Sequence, residues 1–430
     1  MSKQLDVFLE TAQLIKNVGK KYNYKEDVIE AFINPNRIVE VSLPVEIDGK
    51  IKVFKGFRSQ HNNTHGPYKG GIRFHEEVTR SEVMALSIWM SLKTAVIGLP
   101  YGGAKGGVIV DPKELSEKHL ENLSREYARK IYDMIGPDKD IPAPDVNTNP
   151  KIINWMVDEY VKIAKEKEST YSEEALYGTF TGKSIKNHGL DGREEATGFG
   201  GAVILRELAK KQGKNPSDMT VAVQGFGNVG YFFSKFASDF GFKIVTVSDS
   251  KGAVTDKSAA LHTGLDIEKV YACKLEKGMI SGCYCVGGVC DINEGKELSN
   301  EQLLTLPVDV LVPSALGNVI NENNMKDIKA KTIIEMANGP VSPDAHKYLT
   351  EKGVVIVPDI LANAAGVTAS YLEWRQNVEG IRMQNKEVLD ELEKILSKAF
   401  SNVWKESEDR NIDLRYASYG IAFKRLLGNP

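Results

Sequence analysis

The sequence predicts a two-domain α/β protein, with most of one domain in each half of the chain. Its 430 residues exceed what one core usually holds, because domains are typically roughly 100–200 residues long. From about Arg193 onward, helical and strand-like segments alternate, which is typical of a parallel sheet covered by helices. Before that point a hairpin and glycine-bearing segments separate the helices, which indicates a different domain.

The first half contains a clear hairpin signal. Residues 38–57 alternate apolar and polar side chains on both sides of Asp48–Gly49, a dipeptide that favours a two-residue turn. A glycine-bearing loop is expected over residues 67–74. Helices are expected over residues 79–95, which open with capping-box spacing, and from about Ser116.

The second half contains a βαβ unit introduced by a helix. The expected segments are a helix over 202–211, a strand over 220–224, a helix over 231–240 and a strand over 243–248. Further strands are expected over 308–312, 332–335 and 354–357, and an amphipathic helix over 387–404.

The composition excludes several classes of protein. With 42% hydrophobic and 26% charged residues the chain is typical of a globular protein. A net charge of −3 provides no general attraction to nucleic acid or anionic lipid. No apolar run approaches the roughly 20 residues of a membrane span, and the N-terminus has no secretory pattern. We therefore expect a cytoplasmic protein with no nucleic-acid or membrane partner.

A glycine turn in the second half predicts a nicotinamide cofactor. It directly follows a predicted strand and precedes a predicted helix, and it consists of Gly225, Phe226, Gly227, Asn228, Val229 and Gly230. In that context the GxGxxG pattern is the dinucleotide fingerprint, in which glycines allow a tight turn and close approach of the backbone to the pyrophosphate. The helix N-terminus then presents N–H groups to the phosphates.

The residues after the second strand leave the cofactor type open. Asp249 ends that strand, where a carboxylate can bind ribose hydroxyl groups, and this favours NAD. The neighbouring Ser250 and Lys251 are suited to a 2′-phosphate and favour NADP instead.

Three lysines in the first half are candidate substrate ligands. Lys69 lies in Tyr-Lys-Gly-Gly, Lys93 lies near the end of a predicted helix, and Lys105 lies in the glycine-rich segment 100–107. Glycines beside a lysine allow a small ligand and the backbone to come close to the ammonium group. A single such lysine is most often a solvated surface charge, but two framed by glycine in one domain make that less expected.

The order and spacing of these motifs resemble the glutamate dehydrogenase family, within the Glu/Leu/Phe/Val dehydrogenase superfamily. The matching segments span most of the chain and include 69–74, 89–93, 100–107, 142–145, 181–183, 192–193, 196–198, the glycine turn, 337–340 and 363–370.

The resemblance implies a role for each candidate site residue. Lys105 and Asp145 match the proton-transfer residues, and the charge of Lys93 is expected to lower the pKa of Lys105. Lys93 matches the ligand of the substrate α-carboxylate, and Lys69, with Ser370 beside it, matches the ligand of the distal carboxylate. The other implied substrate-binding residues are Gly70, Gly71, Arg193 and Val367. Thr197 and Asn363 match the positions that orient the nicotinamide carboxamide, and Asn338 is a further implied cofactor-binding residue.

The activity implied by the resemblance is reversible, NAD- or NADP-dependent oxidative deamination of L-glutamate to 2-oxoglutarate and ammonium. The substrate domain is expected to comprise residues 1–190, with C-terminal helices over 365–430 packed back on it. A Rossmann-like dinucleotide domain is expected over 191–364, separated from the first by a cleft. The resemblance further implies a homohexamer, and no bound metal is expected.

Two other functions remain open at this stage. A dehydrogenase of branched or aromatic amino acids would keep Lys93, Lys105 and Asp145 but would have an apolar distal pocket, against which Lys69 and Ser370 argue. A catalytically silent nucleotide-binding regulatory subunit would be expected to lack Lys105 or Asp145, and both are present.

The four cysteines form one cluster, Cys273, Cys283, Cys285 and Cys290. Their spacing lacks the C-x2-C pair typical of zinc sites, and they do not resemble a disulfide scaffold spread over a secreted fold. A loop with incidental cysteines, a metal clip and a redox switch all remain open.

Overall fold

The computed structural model describes residues 7–255, 264–280, 283–286, 289–291 and 298–430. The chain divides into two compact units, each with its own main β-sheet. The first unit comprises Met1–Arg193, Val367–Val388 and Tyr419–Pro430, and the second comprises Glu194–Gly366 and Leu389–Ser418. The predicted α/β class is confirmed.

The first unit begins with two helices and then builds its sheet. Its elements up to Arg193 are α1 (Val7–Lys21), α2 (Glu26–Ile33), β1 (Arg37–Ile47), β2 (Lys50–Asn62), β3 (Tyr68–Phe74), α3 (Arg80–Ile97), β4 (Gly103–Val108), α4 (Glu117–Ile131), β5 (Asp140–Pro144), α5 (Pro150–Glu166) and α6 (Glu173–Tyr177).

The five strands lie in the order β1-β2-β4-β3-β5. The predicted hairpin is confirmed, because β1 and β2 pair antiparallel around Asp48–Gly49. The loop predicted over residues 67–74 is wrong: this segment is β3, parallel to both β4 and β5. A Cβ atom added at Gly70 would lie 1.6 Å from the carbonyl oxygen of Ala104. The glycine that suggested a loop instead allows β3 to lie against β4.

A buried ion pair fixes β3 within this sheet. Arg58 on β2 donates to both carboxylate oxygens of Asp140 on β5, at 2.9 and 2.5 Å. The same guanidinium also donates to the carbonyl oxygens of Gly70 and Gly71, at 3.2 and 3.4 Å. Both charged side chains have no exposed surface. Because a buried charge is costly without such partners, this arrangement strongly constrains β2, β3 and β5.

The second unit alternates strands and helices. Its elements are α7 (Ala196–Lys211), β6 (Thr220–Gln224), α8 (Asn228–Asp239), β7 (Lys243–Asp249), β8 (Gly252–Thr255), α9 (Ile267–Lys277), β9 (Tyr284–Val286), β10 (Val289–Asp291), α10 (Asn300–Leu304), β11 (Val310–Pro313), β12 (Thr332–Ile334), α11 (Pro343–Glu351), β13 (Val355–Val357) and α12 (Asp359–Ala362).

The six-stranded sheet of this unit has the order β13-β12-β11-β6-β7-β8. All neighbouring pairs are parallel except β7 and β8. The chain adds β7 and β8 on one side of β6, and it adds β11, β12 and β13 on the other. Strand order therefore reverses between β6 and β11, and the carboxyl ends of such strands are where doubly wound sheets bind ligands.

Helix α7 begins six residues before its predicted start, at Ala196. Its first turns are rich in glycine, which disfavours a helix in isolation. A Cβ atom at Gly198 would lie 2.4 Å from the backbone nitrogen of Phe233 on α8. Close packing against α8 therefore accounts for this glycine, and local propensity alone hid the start of the helix.

The C-terminal region comprises α13 (Ala365–Val378), α14 (Asn385–Arg410) and α15 (Leu414–Leu427). We expected all of residues 365–430 to pack on the first domain, but Leu389–Ser418 groups with the second unit. Glu393 on α14 accepts a hydrogen bond from Arg206 on α7 at 2.7 Å, which ties this stretch to the second sheet's helices. In the described part of the chain, no helix is both long and apolar enough to cross a membrane.

Candidate active site

The first unit holds a lysine–carboxylate pair in which the lysine is buried and the carboxylate is partly buried. Lys105 on β4 is 6% exposed, and its Nζ lies 2.8 Å from Oδ1 of Asp145, the residue that follows β5. The added Cβ of Gly71 would lie 2.8 Å from the Cβ of Asp145, so β3 also passes directly beside the carboxylate. The two candidate proton-transfer residues are therefore in direct contact.

Arg73 completes this cluster and was missed by the sequence analysis. Its Nε donates to Oδ2 of Asp145 at 2.9 Å, and its Nη1 donates to Glu82 in the first turn of α3. Arg73 was visible only as the end of the segment 69–74, with no local signal of its role. Asp145 is thus a carboxylate shared between two cations.

The electrostatics of the pair depend on burial. Burial lowers the pKa of Lys105 and the Arg73 guanidinium adds to that effect, while the Asp145 carboxylate opposes it. Burial by itself would raise the pKa of Asp145, but the charges of Lys105 and Arg73 hold it well below the usual range. We expected Lys93 to lower the pKa of Lys105; the largest cause is instead burial.

Lys69 on β3 is a second buried cation. It is 1% exposed, and its Nζ donates to the carbonyl oxygen of Ile141 at 3.0 Å and to Oγ1 of Thr181 at 2.8 Å. Burial places its pKa well below the usual value, and the charges of Arg193 and Arg58 add to this effect. Both hydrogen-bond acceptors are uncharged, so in the described residues no anion touches this ammonium group.

Ser370 and Arg193 form a neighbouring polar pair. Ser370 on α13 is 2% exposed, and its Oγ accepts a hydrogen bond of 2.6 Å from Nη1 of Arg193. Val367 lies three residues earlier on the same helix and is partly buried, and Gly70 follows Lys69 on β3. Lys93 is partly buried near the C-terminal end of α3.

Glu373 and Tyr101 lie near these groups, and the sequence analysis did not single them out. The carboxylate of Glu373 is fully buried and accepts hydrogen bonds from the backbone of Gly182 and from the ammonium group of Lys183, at 2.8 and 2.7 Å. Burial raises the pKa of Tyr101 well above its usual value, and the charge of Arg193 acts against this. The Tyr101 hydroxyl group is buried and has no partner among the described residues.

In the second unit, the glycine turn has the geometry that its fingerprint requires. Gly225 has a φ of +96°, in the region that favours glycine. A Cβ atom at Gly230 would lie 1.8 Å from the carbonyl oxygen of Gly225, so only glycine fits there. At Gly227, by contrast, an added Cβ would meet no described atom within 4 Å. The backbone before α8 is therefore open to a ligand.

The turn lies at the reversal point of the sheet. The hydroxyl group of Ser314, which follows β11, donates to the carbonyl oxygen of Gly225 at 2.7 Å. Helix α8 begins at Asn228, whose side chain donates to the carbonyl oxygen of Glu194 at 2.7 Å. Phe226 is buried and Val229 partly buried. The N–H groups that open α8 thus follow directly on the carboxyl end of β6, where a pyrophosphate fits.

Asp249 ends β7, as predicted. Its carboxylate accepts hydrogen bonds from the backbone of two separate segments. Oδ1 accepts from the backbone nitrogen of Lys251 at 2.8 Å, and Oδ2 accepts from that of Ile280 at 2.9 Å. Each oxygen retains a second lone pair for a ribose hydroxyl group. Ser250 and Lys251 are exposed at the turn between β7 and β8. Both alternatives for the cofactor therefore remain physically compatible with this strand end.

The remaining cofactor-binding candidates, Thr197, Asn338 and Asn363, lie at other strand and helix ends of this unit. Nδ2 of Asn363 donates to Oδ1 of Asn338 at 3.1 Å and to the carbonyl oxygens of Met336 and Ala337 at 3.3 Å each. Thr197 lies in the first turn of α7 and is partly buried. Asn338 is exposed, which leaves its side chain accessible.

Two of the four cysteines are joined by a disulfide bond. Cys273 on α9 is bonded to Cys283, which the sequence analysis had not paired. The backbone register places Cys285 opposite Cys290 in the β9–β10 hairpin. In the described residues, no group of three or more His, Cys, Asp or Glu side chains is arranged to hold a metal ion.

Two family models match the sequence. Residues 35–162 match the dimerisation domain of the Glu/Leu/Phe/Val dehydrogenases, and residues 189–429 match the Glutamate/Leucine/Phenylalanine/Valine dehydrogenase model.

Curated relatives are similar over nearly their whole length. The cryptic catabolic NAD-specific glutamate dehydrogenase of Bacillus subtilis is 41% identical over 98% of this chain and 95% of its own. The NADP-specific glutamate dehydrogenase A1 of Halobacterium salinarum is 45% identical over 98% and 96%.

Solved structures show the same similarity. Glutamate dehydrogenase from Peptoniphilus asaccharolyticus has a TM-score of 0.84 at 40% identity, with 98% of this chain and 97% of that chain covered. The hetero-hexameric glutamate dehydrogenase of Thermus thermophilus, in its leucine-bound form, has a TM-score of 0.86 at 31% identity, with 99% and 96% covered.

Breaking the Cys273–Cys283 bond should destabilise the second unit. The bond closes a short ring that includes Ile280, the residue whose N–H group donates to Asp249. We expect reduction, or the double substitution C273S/C283S, to lower the free energy of unfolding by about 2–3 kcal/mol. Urea unfolding with and without reductant measures this change. Peptide mapping that finds both thiols free in non-reduced protein would contradict the bond itself.

Proposed function

Because the chain belongs to the glutamate/leucine/phenylalanine/valine dehydrogenase family, we propose that it is a glutamate dehydrogenase. It catalyses the reversible oxidative deamination of L-glutamate to 2-oxoglutarate and ammonium with NAD or NADP. We assign substrate binding to the first unit and the dinucleotide to the second. The main support for this choice of substrate is Lys69, a buried ammonium group whose direct hydrogen-bond partners are uncharged.

A dicarboxylate substrate accounts for that ammonium group. An isolated buried cation is costly, and a substrate carboxylate removes that cost by forming a charge-assisted hydrogen bond. Two of the three donors of Lys69 are occupied, which leaves one for the ligand. Arg193 and Ser370 supply further donors for the distal carboxylate, and Lys93 is assigned to the α-carboxylate. An apolar side chain would leave Lys69 uncompensated, which disfavours leucine as substrate.

The Lys105–Asp145 pair performs the proton transfers. A nicotinamide held by the second unit would supply the hydride acceptor, and loss of hydride from the substrate α-carbon would convert the amine into an iminium ion. Neutral Lys105 would take a proton from the water that attacks this iminium carbon, which gives a carbinolamine. Protonated Lys105 would return that proton to the carbinolamine nitrogen, so the C–N bond breaks and ammonia leaves, while the Asp145 carboxylate takes the hydroxyl proton as the ketone forms. Asp145 accepts a hydrogen bond from Lys105 at 2.8 Å, so its carboxylate orients the amine and stabilises the ammonium form that follows proton uptake. A silent regulatory subunit would have no need for such a contact.

The second unit fits the cofactor. The turn at Gly225–Gly230 leaves the backbone open at Gly227 and ends at the N-terminus of α8, which suits a pyrophosphate. Asp249 is assigned to the adenosine ribose, and Thr197, Asn338 and Asn363 are assigned to the nicotinamide carboxamide. Asp249 favours NAD, and steady-state rates with NAD and NADP side by side decide the preference.

Substrate choice is tested by exchanging Lys69. We expect the parent enzyme to turn over glutamate faster than leucine. Lys69→Met should lower kcat/KM for glutamate by about 10–100-fold, because the charge-assisted hydrogen bond to the distal carboxylate is lost. The ratio of leucine to glutamate turnover should rise. Lys118→Met, at an exposed position of α4, is the matched control and should change neither rate. A parent enzyme that prefers leucine would refute the assignment.

The pH dependence tests the role of Lys105. Oxidation needs neutral Lys105, so kcat should rise with pH through a pKa below that of an ordinary lysine. Lys105→Arg stays protonated and should lose about 10²–10⁴-fold in kcat. Asp145 raises the pKa of Lys105, so Asp145→Asn should move the remaining rise to lower pH. A rise that stays at the same pH in Asp145→Asn would contradict the pairing.

We further propose a homohexamer in which the first unit contacts other copies of the chain. β1 is an edge strand of eleven residues, and Ile51 and Val53 beside it on β2 are 66% and 62% exposed. A long open edge with exposed apolar side chains favours self-association. Light scattering should show six chains, and Ile51→Asp with Val53→Asp should lower the mass. A monomeric parent would overturn this proposal.

The cytoplasmic location stays a prediction.

A further inference from the structure

The loop that contains Asn338 is hydrogen-bonded to the carboxylate of Asp359. The backbone N–H group of Gly339 donates to Oδ2 of Asp359 at 2.8 Å. Gly339 has a φ of +55°, so the chain turns sharply directly after Asn338. Oδ1 of Asn338 accepts a hydrogen bond from Nδ2 of Asn363 at 3.1 Å. The bond to Asp359 therefore fixes the backbone beside the Asn338–Asn363 pair.

Asp359 is itself oriented by two further contacts. Its backbone nitrogen donates to Oε2 of Glu335 at 3.0 Å, and its Oδ1 accepts from the backbone nitrogen of Ile360 at 2.7 Å. Asp359 is the first residue of α12, so the second contact belongs to the start of that helix. Asp359 is thus held at its backbone nitrogen and at Oδ1, and its other oxygen, Oδ2, binds Gly339.

Glu335 anchors this chain of contacts in the interior. Its side chain is fully buried directly after β12, and its Oε1 accepts from Nη2 of Arg415 at 2.6 Å. The backbone nitrogen of Glu335 donates to the carbonyl oxygen of Val357 on β13 at 3.1 Å. A buried carboxyl group that is hydrogen-bonded to a guanidinium resists rotation, because any other orientation would leave buried polar atoms without hydrogen bonds. Arg415, Glu335, Asp359 and Gly339 therefore form one continuous relay.

We propose that Asp359 is a positioning residue for the nicotinamide: it orients the Asn338 loop so that Asn338 and Asn363 meet the carboxamide group. The proposal rests on the function proposed above, in which these two asparagines lie at the nicotinamide end of the cofactor. Hydride transfer requires the ring in one orientation, and a preorganised loop removes the cost of ordering it at each turnover. Asp359 acts through its hydrogen bond to Gly339.

The relay predicts that Asp359 affects only the nicotinamide end of the ligand. NADH and ADP-ribose share the adenosine, the pyrophosphate and the second ribose, and they differ by the nicotinamide ring. For an NADP enzyme the corresponding pair is NADPH and 2′-phospho-ADP-ribose. The ratio of the two dissociation constants therefore isolates the nicotinamide from the rest of the site, and a general loss of structure would weaken both ligands together.

The experiment measures both dissociation constants by calorimetry for the full chain and its variants. Asp359→Ala should weaken NADH binding about tenfold, the size expected from one charge-assisted hydrogen bond, and should change ADP-ribose binding less than about twofold. kcat should fall while the KM for glutamate stays near the parent value. Asp359→Asn keeps one oxygen acceptor for Gly339 and should give an intermediate ratio.

Asp309 provides a matched control in the same sheet. It precedes β11 at the opposite, amino-terminal edge, and its carboxylate accepts from the backbone nitrogen of Thr220 at 3.0 Å and from Lys331 at 3.2 Å. Asp309→Ala also removes a carboxylate that holds backbone, but it should leave the NADH to ADP-ribose ratio unchanged. If Asp359→Ala fails to fold, the ratio of the NADH and ADP-ribose dissociation constants is measured for Asp359→Asn and Glu335→Gln instead.

The outcomes separate this inference from the function on which it rests. A parent chain that binds neither NADH nor NADPH refutes the proposed function. A parent that binds the cofactor, with Asp359 variants that weaken NADH and ADP-ribose equally or weaken neither, overturns the positioning role alone. The positioning role is also overturned if Asp309→Ala shifts the ratio as much as Asp359→Ala does.

Discussion

The first unit depends on the burial of two lysine ammonium groups inside one β-sheet. Lys69 and Lys105 are 1% and 6% exposed, and each loses most of its hydration on folding. Such a charge is tolerated only when polar atoms are held in place around it. The Arg58–Asp140 pair, which also holds the carbonyl oxygens of β3, provides the rigid frame in which those atoms lie.

The two lysines are compensated differently, and this difference gives each a separate chemistry. Lys105 contacts a carboxylate at 2.8 Å, which stabilises its protonated form, so the amine is suited to take up a proton and to give it back. Lys69 contacts only a carbonyl and a hydroxyl oxygen, so its charge is available to an anionic ligand. Burial lowers the pKa of both groups, but only Lys105 has a carboxylate in contact to counter it.

In the second unit, carboxylates at the carboxyl edge of the sheet hold loops through backbone N–H groups. Asp249 binds the backbone at Lys251 and Ile280, and Asp359 binds it at Gly339. A charged acceptor forms a stronger hydrogen bond than a neutral one, so each loop has a well-defined position before a ligand arrives. The glycine turn serves the same purpose, because Gly230 admits no side chain and packs directly against the carbonyl oxygen of Gly225.

The sequence by itself determined the α/β class, the β1–β2 hairpin, the strand–turn–helix around Gly225 and the family, because each depends on local pattern or on motif order. It also identified Lys105, Asp145 and Lys69 as candidates. Only the tertiary structure decided that residues 68–74 form a strand, that Arg73 shares Asp145, and that Cys273 pairs with Cys283. The β3 pairing and the Arg73–Asp145 contact join segments distant along the chain, and the Cys273–Cys283 bond depends on how α9 and the residues after it fold. The spacing of residues along the chain does not predict such contacts. A buried charged group is paired with whichever group the tertiary packing brings next to it.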